Sequence, residues 1–180
     1  MRKFFNRFFL DLECYKKLSA IKEISCGTHF YISGLRFIHA LKISLLLKKK
    51  FRLHRLYIIY VFIHLCFYGN RTCYVMRDKK QGEIIGAFWL YVNKWDILHH
   101  TIHLGGYFIV KKYCGRHLGT ILAHRAIEDI RRNKYFNGIS AKVNVDNRAS
   151  LTLLENLGFT LSKNMPDDMK SNEVFLVLKF

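Results

Sequence analysis

The period of the apolar residues changes at Asn70, and that change constrains the fold more than any other feature of the chain. Three short runs rich in β-branched and aromatic residues follow it, TCYVM, EIIGAFWLYV and TIHLGGYFIV, the first two separated by the polar DKKQG. Runs of this length and composition, bounded by turn residues, predict an antiparallel meander. Past Gly119 the period becomes helical: Leu118, Ile121, Leu122, Ala126 and Ile130 form one stripe, with Arg125, Glu128, Asp129, Arg131 and Arg132 facing elsewhere, and the helix ends near Asn133. A strand, ISAKVNV, comes next, and then DNRASLTLLENLGF reads as a short helix. Asp146 or Asn147 supplies its N-cap, Leu153, Leu154 and Leu157 its apolar face, and Gly158 the left-handed residue that stops it. SNEVFLVLKF closes the chain as a last strand.

The first 69 residues read as mostly helical, because in GLRFIHALKISLLL the apolar positions Leu35, Ile38, Leu41 and Leu45 recur at three and four. The whole order is therefore helices, three strands, helix, strand, short helix, strand, which predicts an α+β or mixed α/β sheet flanked by helices. With 180 residues, 51% of them hydrophobic, and a single proline, the chain supports one core and shows no linker, so residues 1–180 are read as one domain. The longest apolar run, Leu56 to Tyr68, has 13 residues, against the roughly 20 of a bilayer span. A core helix or strand is expected there; a segment lying on a membrane surface beside Lys48, Lys49, Lys50, Arg52 and Arg55 is the minority reading. The opening MRKFFNRFFL has no long apolar stretch with a small-residue cleavage site, so it does not read as a signal peptide.

A formal charge of +17 favours anionic partners, whether a polyphosphate cofactor, nucleic acid or anionic lipid. Thirteen basic against three acidic residues precede Asn70, which places more than half of that excess in the first third. Five scattered cysteines without a C-x-x-C spacing argue for reduced thiols in a cytoplasmic setting.

One stretch carries the chemistry. A strand ending at Val110, a glycine-bearing loop and a helix starting near His117 aim several backbone N–H groups at one point, and the helix dipole adds partial positive charge there. Arg116, Lys111 and Lys112 add full charges. On these residues alone the stretch is either a phosphate cradle or a glycine turn, since it fits neither G-x-G-x-x-G nor the P-loop spacing.

The pairing with a second stretch sharpens that choice. VKKYCGRHLG (Val110 to Gly119) and NRASLTLLENLGF (Asn147 to Phe159) resemble two motifs of the GNAT superfamily of acyl-CoA-dependent N-acyltransferases: V-x-P-x-Y-R/Q-G-x-G-I/L-G at the end of its fourth strand, and N-x-x-A/S-x-x-L/V-Y/L-E-x-L-G-F later. The resemblance covers about residues 71–163. It implies an α/β fold with a mixed, mostly antiparallel central sheet flanked by helices and splayed between the fourth and fifth strands. Residues 70–180 would then bind acyl-CoA and residues 1–69 form the substrate side. It further implies that backbone amides around Gly115, Arg116, Leu118, Gly119 and Thr120 hold the CoA pyrophosphate, that the main chain of Phe108 and Val110 pairs with the pantetheine arm, and that Asn147 contacts that arm or orders the loop beside it. Cys114 stands where the family usually has Arg or Gln, and His117 where it usually has Gly.

Acyl transfer from a thioester to an amine asks for a neutral amine, a polarised carbonyl and a proton for the departing thiolate. A lysine-like amine has a pKa of about 10.4, so a base or a desolvated pocket must expose its lone pair. The family often uses a strand carboxylate, and the fourth strand here has none. His103 on that strand is the nearest substitute, with Glu83 at the start of the preceding strand as the other candidate; strand alternation puts His103, Gly105 and Tyr107 on one face, Leu104 and Phe108 on the other. His99, His100 and His103 lack a Cys or carboxylate to complete a zinc site, so no metal is expected. The family's frequent general acid, a tyrosine, falls at Leu154, which cannot donate a proton. Ser150, in the same motif, is the preferred donor to the CoA sulfur.

The expected activity is transfer of an acyl group, from acetyl-CoA or another acyl-CoA, to an acceptor amine by direct attack. The acceptor is a small molecule, a protein N-terminus or an aminoacyl-tRNA. The rival reading is a catalytically weak protein of the same fold that serves as a basic module for RNA or an anionic membrane, cytoplasmic or peripheral.

Overall fold

A computed structural model of the chain describes residues 24–26, 30–51, 59, 60, 62, 63 and 72–180, and its residues group into two compact units. Among the described residues, one comprises Tyr91–Gly105 and Ala123–Phe180, the other those before Tyr91 together with Gly106–Leu122. The strand Thr101–Ile109 and the helix Leu118–Asn133 therefore each contribute residues to both.

In the unit that contains the first strands, β1 (Ile24–Cys26) and β2 (Phe30–Gly34) form an antiparallel hairpin with Cys26 opposite Phe30. β2 pairs antiparallel with β3 (Cys73–Asp78), and β3 with β4 (Ile84–Tyr91), with a bulge between Met76 and Arg77. The order continues to β5 (Thr101–Ile109), whose second half belongs to this unit. Helix α1 (Phe37–Phe51) lays Ala40, Ile43 and Leu47 against Cys73, Val75, Ile84, Ala87 and Phe108, and these close the core of the unit.

In the other unit the order is β5, β6 (Gly138–Asn144), β8 (Glu173–Lys179), β7 (Thr160–Leu161). β5 and β6 are parallel, joined through α3 (Leu118–Asn133), and their ladder runs from Thr101–Gly138 to Leu104–Ala141, where it ends although both strands continue. β6 and β8 are antiparallel over seven pairs. Helix α4 (Arg148–Asn156) lies between β6 and β7 in sequence, and α2 (Lys94–His99) precedes β5. Ile102, Ile139, Ala141, Ala126, Ile130, Leu154 and Phe175 are buried there.

The meander, the helix to Asn133, the Asn147 cap and the Gly158 stop (φ +88°) stand as the sequence predicts. Four points differ. Within residues 1–69 the described part holds a β-hairpin as well as a helix. On α1 the expected stripe is largely the wrong one: Leu35, just before the helix, is buried, but Ile38, Leu41 and Leu45 are exposed, and Ala40, Ile43 and Leu47 face inward. On α3, Ile121 is exposed while Leu118, Leu122, Ala126 and Ile130 are buried. The short α2 was not foreseen, although Asn93 and Asp96 form a capping box at its start. Of the apolar run Leu56 to Tyr68 only residues 59, 60, 62 and 63 are described, and Ile59, Tyr60 and Ile63 are exposed. The opening decapeptide lies outside the described residues. No helix among the described residues is long and apolar enough to cross a membrane.

Candidate active site

The stretch after β5 has three parts. A 3-10 turn, Lys111–Tyr113, is closed by Tyr113 N–H donating to Val110 O at 2.8 Å. Two left-handed residues follow, Gly115 (φ +76°) and His117 (φ +56°), and α3 begins at Leu118 rather than at His117. The first helical hydrogen bond is Ile121 N–H to His117 O, 3.1 Å. The amides of Gly115 through Thr120 accordingly have no acceptor among the described residues. Alternation of left-handed with other residues turns successive N–H groups inward, and three of these six belong to the opening turn of a sixteen-residue helix. An anion is what such a concavity stabilises.

The charges around it are unequal. Lys112 is paired with Glu83, whose carboxylate holds the ammonium above its ordinary value, so its charge is largely answered. Arg116 is exposed and lies over the Tyr113 ring at 5.7 Å, and Tyr113 in turn meets Phe30 edge-on. Cys114 is exposed, and its thiol points back to the carbonyls of Ile109 and Val110 at 3.8 Å. These contacts fit a packing role for the thiol.

β5 reaches this loop with its edges assigned differently from the expectation. Val110 N–H donates to Ile85 O at 2.7 Å and Val110 O accepts from Tyr113, so both main-chain groups of Val110 are engaged within the unit. The Phe108 carbonyl also faces β4, where a Cβ on Gly86 would approach it to 2.5 Å. Strand alternation gives the opposite edge to the residues between, so Ile109 and Tyr107, not Val110 and Phe108, turn their main chain away from β4. Gly106 kinks the strand at φ +154°, a value few side-chain-bearing residues adopt, and a Cβ there would lie 2.6 Å from the Trp89 ring.

Asn147 caps α4, its side chain accepting from Ser150 N–H at 3.3 Å. Ser150 is half-buried, and its hydroxyl has no partner among the described residues. Leu154 is buried.

His103 sits elsewhere in its unit, inside a polar chain that sequence reasoning missed. Its Nδ1 lies 2.7 Å from Ser140 Oγ on β6; Ser140 donates to Asp96 Oδ1 at 2.5 Å, and Thr101 donates to the same oxygen at 2.8 Å. Asp96 Oδ2 accepts from Asn93 N–H at 3.2 Å, completing the capping box of α2. Asp96, Ser140 and His103 are all buried, and the imidazole is flanked by the rings of Tyr91 (4.8 Å between centroids) and Phe175. Burial pushes the Asp96 carboxyl up, while hydrogen bonds from Ser140, Thr101 and Asn93 hold it down. The N-x-x-D spacing of NKWD was the available signal for Asp96; nothing local connects it to Ser140, 44 residues on. The neighbouring histidines do not converge on His103: His99 stacks on Trp95 at 3.9 Å, and His100, left-handed, meets Tyr135.

Comparisons with known proteins follow the same outline. A family model described as the acetyltransferase (GNAT) family matches residues 41–159. Among solved structures, the chain is similar to the NatC complex bound to Gag peptide and CoA (21% identity, 85% of this chain and 99% of that one, TM-score 0.69). It is also similar to the ribosomal-protein-S5-alanine acetyltransferase of Vibrio fischeri (15% identity, 88% and 96%, TM-score 0.65). A third is the Salmonella typhimurium protein yncA with its cofactor acetyl-CoA (18% identity, 84% and 94%, TM-score 0.60). A search of curated proteins finds no match.

Proposed function

Because the chain belongs to the GNAT family of acetyltransferases, we propose that it moves an acetyl group from acetyl-CoA to an acceptor amine by direct attack, and that the loop of residues 115–120 holds the CoA pyrophosphate. The observation that carries this reading is the set of amides from Gly115 to Thr120, turned by two left-handed residues into the N-terminus of α3 and left without acceptors among the described residues. His117, where the family usually has Gly, adopts a left-handed conformation that glycine enters freely (φ +56°), which supports a cradle built without the glycine. Arg116 and Lys111 supply charge; Glu83 is spent on Lys112 and is the weaker candidate for a base. The N–H of Ile109, on the edge turned away from β4, replaces Val110 as the main-chain donor to the pantetheine arm.

Acetyl-CoA supplies an activated thioester. His103 takes the proton of the amine as nitrogen bonds to the carbonyl carbon; the C–S bond then breaks, Ser150 offers the departing sulfur a hydrogen bond, and the proton held by His103 passes through water to the thiolate, giving amide and free CoA. No covalent enzyme intermediate is required, so Cys114 has no chemical task. For the acceptor, the fold neighbours include enzymes for a ribosomal-protein alanine and for spermidine, and a protein N-terminus or a polyamine is the class to test first.

Calorimetric titration with acetyl-CoA tests the reading. Saturable binding is expected, weakened about tenfold in R116A by loss of one charge-assisted contact, on the order of 1.4 kcal/mol. Folded protein that takes up no acetyl-CoA at millimolar ligand would sink the proposal. Release of CoA thiol in the presence of peptides with N-terminal Ser or Ala, or of spermidine, then ranks the acceptors.

A further inference from the structure

Helix α1 carries two apolar stripes, and the core uses one of them. Ala40, Ile43 and Leu47 pack on β3 and β4. Ile38, Leu41 and Leu45 recur at the same spacing on the opposite side of the helix, where they are 55%, 46% and 54% exposed. The described residues that follow α1 repeat the arrangement: Phe62 packs against the same core, and its neighbours Ile59, Tyr60 and Ile63 are exposed. These six make up half of the large hydrophobic side chains that the described residues expose. Apolar residues scattered singly over a surface need no explanation, but a whole helical stripe turned outward marks an interaction face.

The charge of this region has one sign. From Ile24 to Arg77 the sequence has nine Lys and Arg residues and no Asp or Glu. Lys42 is exposed on the same side of α1 as the outer stripe, and the helix runs on into the tract KKKFRLHR, residues 48–55. That pattern selects the occupant. A second copy would set an equally basic, acid-free surface against this one, and like charges facing each other across a shared stripe oppose the contact. A folded protein partner is held chiefly by side chains that fill pockets, whereas the outer side of a helix offers projecting Ile and Leu. An anionic bilayer answers both features: aliphatic side chains enter its interfacial layer without a shaped counterpart, and Lys and Arg are drawn to acidic headgroups.

We propose that the outer face of α1, with Ile59, Tyr60 and Ile63, docks the protein peripherally on an anionic membrane surface. Ile38, Leu41 and Leu45 enter between the headgroups, and the Lys and Arg of the acid-free stretch supply the attraction to acidic lipid. Because its inner stripe stays packed on β3 and β4, α1 lies along the surface and does not cross it. Docking of this kind needs no acetyl-CoA and stands apart from the acetyltransferase reading.

Flotation of the full chain with vesicles tests the proposal, in the absence of acetyl-CoA. The native protein is expected to be recovered with vesicles of phosphatidylcholine mixed with phosphatidylserine, and not with phosphatidylcholine alone. A strongly basic protein adheres to any anionic surface to some degree, so variants that keep the charge locate the face. I38S/L41S/L45S is expected to lower the partition coefficient at least about tenfold. L98S, which removes a leucine that is 78% exposed on α2, should stay within about twofold of native. K42E, a change at an exposed charge, should weaken partitioning by about tenfold or more and guards against a triple variant that fails to fold. Equal recovery with phosphatidylcholine alone, full binding by the triple variant, an unchanged K42E, or a loss as large in L98S overturns the proposal. So does a native chain that sediments as a dimer while the triple variant is a monomer, which would give the face to a second copy. A native chain that ignores the mixed vesicles also overturns it, and would leave the face to an acidic partner protein.

Discussion

His117 shows how a single residue can preserve a site while departing from its pattern. Its φ of +56° is the conformation glycine enters freely and a β-carbon resists, though histidine tolerates it better than most. His117→Gly is expected to raise the unfolding free energy by about 0.5–1 kcal/mol, read as a higher urea midpoint at unchanged slope. A lower midpoint would show that the imidazole makes a contact worth more than the strain. Cysteine chemistry divides on the same scale. Cys114 is exposed, whereas Cys73 is wholly buried and burial pushes its thiol far up. Alkylation of the native protein followed by peptide mapping should label Cys114 and leave Cys73 unmodified until the chain unfolds.

Among the elements, α1 marks the boundary of what the sequence discloses. FIHALKISLLL is apolar on nearly every face, so periodicity alone offers several stripes, and packing against β3 and β4 selects the one with Ala40, Ile43 and Leu47. Ile43→Ala should cost about 2–4 kcal/mol and Leu41→Ala, on the exposed face, less than about 0.5, measured by the same urea titration. The N-terminal turn of this helix also sets a pH response. His39 Nδ1 accepts from Arg36 N–H, and burial, then Arg77, Arg36 and Lys42, push its pKa down from 6.5 to about 4. Folding favours the neutral ring, so the stability it contributes is complete above pH 6.5 and is lost as pH falls from 6.5 toward 4. His39→Gln should flatten the acid side of the stability profile over that interval; a native profile already flat there would refute the assignment. The rest of the fold was legible where local rules decide it. The Asn147 cap and Gly158 stop are written in adjacent residues, and the β-runs after Asn70 are separated by clear turns. The hairpin of β1 and β2 escaped because three- and five-residue strands carry too little alternation to register. The polar chain at His103 escaped because Asp96 and Ser140 meet only through folding.

For the molecule as a whole, the net charge of +17 and the phosphate-binding reading make a joint prediction. Acetyl-CoA at a hundredfold excess over its Kd should stabilise the native state by about 2.7 kcal/mol, seen as an upward shift in Tm. Because the ligand is polyanionic, the affinity should weaken as salt is raised through the range in which surface charges are screened. A Tm that ignores acetyl-CoA, or an affinity indifferent to salt, would contradict it. The two tryptophans happen to divide the same way as the two compact units. Trp89 lies over the bare backbone of Gly106 in the unit that carries the loop, and Trp95 is stacked on His99 in the unit that carries His103. The chain thus contains one native fluorophore for each half of the proposed chemistry, and W95F and W89F variants would let the two halves be watched separately as ligand, pH or denaturant is changed.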